Sequence, residues 1–247
     1  MPVTDGIDSY LICSTPRTGS TLLCGLLEST GVAGRPRSYF RPPDESAYAT
    51  RWRIPLGPDG SFEYRDYVKA AVATGRSENG VFGARIMWGT MDHMTARLRR
   101  AHGDAGASDL ELLHRFFGRT RFLSLRRSDT LAQAVSWTRA EQTDRWQDED
   151  TVSASGEPHF DGEAIGRSVT TIEEHESAWR HWFARCDVQP FEVLYEDLIA
   201  DMAGVVEAVL RFLGLTRPAG QPLAAGHRRQ ADLINDDWIR RFRALPP

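Results

Sequence analysis

Lysine is almost absent from this chain of 247 residues: of thirty basic side chains, Lys69 is the one lysine and the rest are arginines. Arginine grips an anion through a planar fork, whereas lysine offers a point charge, so the distinction matters wherever a phosphate-like group is held. Cysteine is scarce as well. Cys13, Cys24 and Cys186 are too few and too scattered for a disulfide framework or a zinc site, and a reduced, cytoplasmic setting is expected. No apolar run reaches eighteen residues, so no segment has the length of a membrane-spanning helix. The opening residues, MPVTDGIDSY, are acidic and polar, unlike the basic-then-apolar order of a secretory leader. An excess of positive charge is also missing. The formal net charge of −4 argues against a general nucleic-acid binder.

What is present is an ordinary globular composition, 41% apolar and 26% charged, in a chain long enough for one α/β domain over residues 1–247. Four apolar runs read as strands: Tyr10–Ser14, Gly80–Ile86, Arg121–Leu125 and Phe191–Tyr195. Each is followed by a segment with helical spacing, and this alternation predicts a central parallel sheet flanked by helices. Helices are expected over Ser20–Ser29, from Ser128-Asp129 onward, over 161–186, over 197–214, and from about Asn235. Trp179, Trp182 and Phe183 are expected in the core. Two stretches, Arg35–Ser61 and Gln147–Gly162, read as long irregular loops.

The most informative segment is Tyr10-Leu-Ile-Cys-Ser-Thr-Pro-Arg-Thr-Gly-Ser-Thr-Leu-Leu23, which reads strand, tight turn, helix. Such a turn aims several backbone N–H groups and the positive end of a helix at one point. Gly19 allows close backbone approach, Ser20 and Thr21 add hydroxyl donors, and Arg17 adds a fixed charge, so the loop suits a phosphate or sulfate ester. A triphosphatase loop would read G-x-x-x-x-G-K-[ST]; here the first Gly and the Lys are missing. A cysteine phosphatase would need Arg six residues after the Cys, and that position is Gly19. A kinase using ATP would also need carboxylates for magnesium, and no strand ends in an obvious one.

Ser14-Thr-Pro-Arg-Thr-Gly-Ser-Thr21 resembles the 5′-phosphosulfate loop of sulfotransferases that use 3′-phosphoadenosine 5′-phosphosulfate (PAPS), in particular the bacterial trehalose 2-sulfotransferase type. Gly31–Phe40 resembles that family's substrate segment, Leu125–Trp137 its 3′-phosphate site, and Arg229–Phe242 its C-terminal signature. The resemblance implies a P-loop-like sulfotransferase fold, PAPS as donor, 3′,5′-ADP as product, no metal, a hydroxyl acceptor on a carbohydrate, glycolipid or small metabolite, and a homodimer. It implies that Ser14, Arg17, Thr18, Gly19, Ser20 and Thr21 bind the 5′ side, and that Arg127 and Ser136 bind the 3′-phosphate. Arg229 would close over the cofactor. Arg126 rivals Arg127 for its role.

Sulfuryl transfer needs in-line geometry and charge stabilisation, and the acceptor hydroxyl must lose a proton to a base. The resemblance implies a Glu in a segment G-x-P-x-E-[YF]-F. Here that segment is Gly34-Arg-Pro-Arg-Ser-Tyr-Phe40, and Ser38 stands at the base position. Serine does not ionise near neutral pH. Glu45, Asp44 or His93 could take over, an acidic acceptor could need little base, or the chain could be a catalytically weak nucleotide binder of the same fold. Pro16 and Arg35 differ from positions that would hold a disaccharide, and Arg35, Arg37 and Arg41 suggest an anionic acceptor. Tyr39, Phe40 and Trp52 either line an acceptor pocket or pack beneath a loop.

Overall fold

A computed structural model describes residues 6–144, 146, 157–224 and 233–245. Four parallel strands form its sheet: β1 (Ser9–Ser14), β2 (Phe82–Met87), β3 (Thr120–Arg126) and β4 (Phe191–Leu194), in the order β2-β1-β3-β4. Every residue of β1 is buried, as expected of a central parallel strand covered on both faces. Leu11 and Cys13 enter one core with Phe82, Ala84, Ile86 and Phe122, whereas Tyr10 and Ile12 enter the opposite core with Leu123 and Leu125.

The first core is covered by α3 (Tyr64–Gly75), α4 (Trp88–His102), α5 (Asp109–Phe117) and α7 (Gly162–Arg185), and the second by α1 (Ser20–Ser29) and α9 (Met202–Leu213). Trp179, Trp182 and Phe183 lie in the first, as expected. A smaller cluster joins α6 (Thr130–Thr143), α7 and α10 (Leu233–Arg243) around Val135, Ile172 and Trp238. Asp129 and Asp161 start α6 and α7 by accepting from Ala132 and Ala164 main-chain N–H groups, each at 2.9 Å.

Two expectations are corrected. Residues 35–61 are not one irregular loop, because Pro42-Pro43-Asp44-Glu45 opens a helix, α2 (Pro42–Arg51). Proline in the first helical turn loses no intrahelical bond, and the two carboxylates oppose the helix dipole there. Residues 197–214 are not one helix either. α8 (Tyr195–Ala200) ends at Asp201, which has an extended φ of −144° and caps α9 by accepting from Gly204 N–H at 2.8 Å.

The strand order places a topological switch between β1 and β3. The chain leaving β1 goes on to β2 at one edge, and the chain leaving β3 goes on to β4 at the other. Open α/β sheets bind ligands in the crevice outside the carboxyl ends of such strands. Here the loops at that crevice are 15–19 and 127–129.

Candidate active site

The turn from β1 to α1 is shaped by internal hydrogen bonds. The Thr18 hydroxyl donates to Thr15 O at 3.0 Å, and the Ser14 hydroxyl donates to Met87 Sδ at 3.3 Å across to β2. Both residues are buried, so their side chains shape the turn. Arg17 adopts φ 66°, rare for a residue with a side chain, and Gly19 adopts φ 78°. A Cβ on Gly19 would fall 2.6 Å from the Tyr195 ring. The close approach expected of this glycine is therefore to Tyr195, which supports the loop from its β4 side.

No side chain caps α1, which leaves its first N–H groups for another acceptor. From α6, Gln133 Nε2 donates to Thr15 Oγ1 at 2.8 Å and to Pro16 O at 2.7 Å, pinning the loop. Pro16 is thus anchored through its carbonyl. Gln133 Oε1 is buried with no hydrogen-bond partner.

The two anion sites expected from sequence are in contact. Arg17 Nε donates to Ser136 Oγ at 2.9 Å, and its Nη1 donates to Trp146 O at 2.8 Å. Arg127 lies 4.7 Å over the Tyr195 ring, so Tyr195 touches both the loop glycine and this guanidinium. Arg126 pairs with Glu192 at 2.7 Å. Arg127, rather than Arg126, shares a neighbour with the loop. Beneath the loop, Thr15, Arg126 and Glu176 line a cavity of about 30 Å³. Burial raises the Glu176 carboxyl above its ordinary value, opposed by Arg126. Burial pushes up the Cys13 thiol, and that of Cys24 to about 11, so neither is a nucleophile at neutral pH. Arg229 lies outside the described residues.

Sequence reasoning missed Arg85. An isolated bridge between Arg37 and Ala84 lays the incoming segment along β2, and Ser38 comes to rest beside Arg85. Arg85 Nε donates to Ser38 Oγ at 2.8 Å, while its Nη1 donates to Thr21 Oγ1 at 2.8 Å and Ser20 Oγ at 3.3 Å. The base position and the first turn of α1 are therefore joined by one guanidinium. A lone arginine inside an apolar parallel strand was the signal available. Tyr195, read as the end of a strand, was the other omission.

The remaining acceptor-side candidates are mostly tied up. Arg37 pairs with Glu28 at 2.8 Å and Arg41 with Asp44 at 3.4 Å, both contacts at the surface where solvent weakens them. Arg35 is exposed, and its main chain bonds to Gly75 O and the Tyr39 hydroxyl. Tyr39 and Phe40 are core residues: Tyr39 stacks on Phe82, and Phe40 meets Phe117 edge-on. Trp52 packs on Tyr39, Tyr48 and Tyr67. Of the two roles open to these three rings, packing is the one their contacts describe.

Glu45 is 2% exposed. Its carboxylate accepts from Arg97 Nη1 at 2.6 Å and from the Tyr64 hydroxyl at 3.0 Å, and His93 Nε2 stands 3.4 Å away. Glu45, one of the groups expected to be able to take over as base, thus has both its oxygens held. The His93 side chain is 35% exposed.

The sequence model of the Stf0 sulphotransferase family matches residues 9–245, and the chain belongs to that family. It is 31% identical to the trehalose 2-sulfotransferase of Mycolicibacterium smegmatis, over 98% of this chain and 96% of that protein. It is 28% identical to the trehalose 2-sulfotransferase of Mycobacterium tuberculosis, over 96% and 95% respectively. Among solved structures, it aligns with the sulfotransferase domain of the Synechococcus PCC 7002 olefin synthase at 17% identity and a TM-score of 0.41, covering 100% of this chain and 91% of that one. The protein is a sulfotransferase. No described helix is long and apolar enough to cross a membrane.

Proposed function

We propose that this sulfotransferase uses PAPS and transfers its sulfuryl group to a hydroxyl of a carbohydrate, glycolipid or small metabolite. The observation that carries the reading is the uncapped α1 N-terminus flanked by Arg17, Ser136 and Arg127 at the switch point of the sheet. Two features fit the donor. Open N–H groups suit its 5′ side, and the arginine at the rim of the turn adds a charge to oppose it. The 5′ side would be held by the main chain of residues 17–21 with Arg17, and the 3′-phosphate by Arg127 and Ser136. When bound, the nucleotide supplies an activated sulfuryl group on a phosphate leaving group.

Arg85 stabilises negative charge beside the first turn of α1, where its guanidinium already bridges Ser20, Thr21 and Ser38. His93 takes the acceptor's proton at Nδ1, with Nε2 facing the fixed Glu45 carboxylate. Ser38 Oγ holds Arg85 in place. Support for a sugar-like acceptor comes from the relatives, whose names specify trehalose.

Calorimetric titration with 3′,5′-ADP and with ordinary ADP, each with and without magnesium, tests the donor. Preference for 3′,5′-ADP independent of magnesium, weakened at least tenfold in Arg127→Ala, is expected; equal affinities would overturn the reading. His93→Ala is expected to lower turnover about a hundredfold while leaving 3′,5′-ADP affinity unchanged. Full turnover in that variant would remove His93 from the reaction.

A further inference from the structure

A groove of about 1100 Å³ lies away from the transfer site, between α3, α5 and the end of α4. Arg65, Lys69, Val72 and Arg76 line it from α3 at spacings of four, three and four, which is one face of a helix. His102 ends α4 on its rim, and His114 and Arg115 face it from α5. Four permanent cations, Arg65, Lys69, Arg76 and Arg115, thus meet two carboxylates, Asp104 and Glu111. This is a local positive excess on a chain whose net charge is −4.

The cations differ in how they are held. Arg65 donates to Ala101 O at 2.8 Å and lies 5.9 Å from the Phe116 ring, so its guanidinium is fixed at the end of α4. Lys69 pairs with Asp66 at 3.1 Å, both exposed, a contact that solvent weakens. Arg76 and Arg115 are exposed and have no ion pair among the described residues. Glu111 directs its carboxylate at the Ser108 N–H and hydroxyl, each at 2.8 Å, closing the start of its own helix. The cavity also has an apolar wall of Val68, Val72 and Phe116.

We infer that this groove is a second binding site, for a small organic polyanion: a carbon frame bearing several sulfate or phosphate esters. The cations would meet the ester groups bidentately, and the frame would rest on Val72 and Phe116. Its place is set by α4. Trp88 opens that helix directly after Met87, the Ser14 contact, and His102 closes it fourteen residues along, about 21 Å away at 1.5 Å per residue. One molecule the size of a disaccharide cannot occupy both sites. The inference does not depend on the identity of the donor.

The test is calorimetric titration of the whole protein with sucrose octasulfate, on the parent, on Arg127→Ala and on Arg76→Ser/Arg115→Ser. Binding is expected to be unchanged in Arg127→Ala, and to weaken at least tenfold in Arg76→Ser/Arg115→Ser. Both residues are exposed, so folding is not at risk, and melting in the absence of ligand checks this. Inorganic pyrophosphate, which carries charge without a frame, is expected to bind at least tenfold more weakly. Absence of binding, a tenfold loss in Arg127→Ala, or unchanged affinity in the double variant would overturn the site. Equal affinity for pyrophosphate would overturn its organic ligand. Failure of the donor reading would show instead as equal affinities of the parent protein for 3′,5′-ADP and ADP, with sucrose octasulfate binding unaffected.

Discussion

Arg85 and Arg97 stand in neighbouring elements, one in β2 and the other in the helix that follows, yet their surroundings give them opposite uses. Arg97 is closed in. It meets the Glu45 carboxylate at 2.6 Å, and its guanidinium lies 4.2 Å over the Tyr64 ring and 4.6 Å over Phe62. Arg85 is met only by the hydroxyls of Ser38, Ser20 and Thr21 in the bonds it makes. A hydroxyl orients a guanidinium without cancelling its charge, so an anion arriving at Arg85 finds an unopposed cation. A carboxylate does cancel it, and Arg97 is a structural residue for that reason. The lesson applies along the substrate segment as well, where Arg37 and Arg41 look available in sequence and are paired in space.

The largest effect should come from opening the closed pair. Arg97→Ala leaves the Glu45 carboxylate buried with its main charge partner removed, which costs about 3–5 kcal/mol for a buried pair. Urea unfolding should show that loss, and a midpoint within experimental error of the parent would mean Glu45 is solvated. Next, Arg85→Ala should lower turnover about a hundredfold, as for loss of one charge-stabilising donor, with little change in unfolding midpoint. A variant that instead unfolds easily and turns over normally would make Arg85 another Arg97.

Ser38→Glu sharpens the contrast by converting one environment into the other. With a carboxylate on its Nε side, Arg85 should be neutralised and turnover should fall, by about tenfold, the loss expected when roughly 1.4 kcal/mol of transition-state stabilisation goes. A rise in turnover would mean that residue 38 is the natural seat of the base, and would displace His93.

The smallest effect belongs to an exposed carboxylate. Hydrogen bonds from the Ser108 main chain and hydroxyl hold Glu111 below its ordinary pKa. The group's folded pKa is depressed, so its contribution is complete above the unfolded value and is lost as pH falls through the folded one. Carboxyl NMR should place its titration below that of an unstructured glutamate, and Ser108→Ala should raise it only part of the way, because the Ser108 main-chain N–H, the larger cause, is kept. Being fully exposed, it should shift the melting temperature far less than Arg97→Ala.

Much of the fold could be read from single residues. Gly31 follows the helix Ser20–Ser29, Gly214 ends α9, and Asp129 and Asp161 cap their helices, because caps and stops act through neighbours within a turn. The four strands stood out as short apolar runs between turn residues. A local signal that can be read two ways does not decide an element: Pro42-Pro43 suits a loop as well as a helix start, and Asp201 lies inside a longer periodic run yet ends one helix and caps the next.

The site divides along the same line. Its anion loop was legible because strand, turn and uncapped helix are consecutive in sequence, and their chemistry needs no distant partner. The contacts that decide what each side chain does span long separations. Arg17 reaches Ser136, Tyr195 fills the space at Gly19, Glu45 meets Arg97, and Arg85 joins Ser38 to Thr21. The sequence by itself determined the four strands, the parallel sheet, the strand–turn–helix at β1 and the family. Only the tertiary structure decided which arginines are neutralised and which stay available, because a side chain's charge is set by its nearest partner, and that partner is chosen by packing.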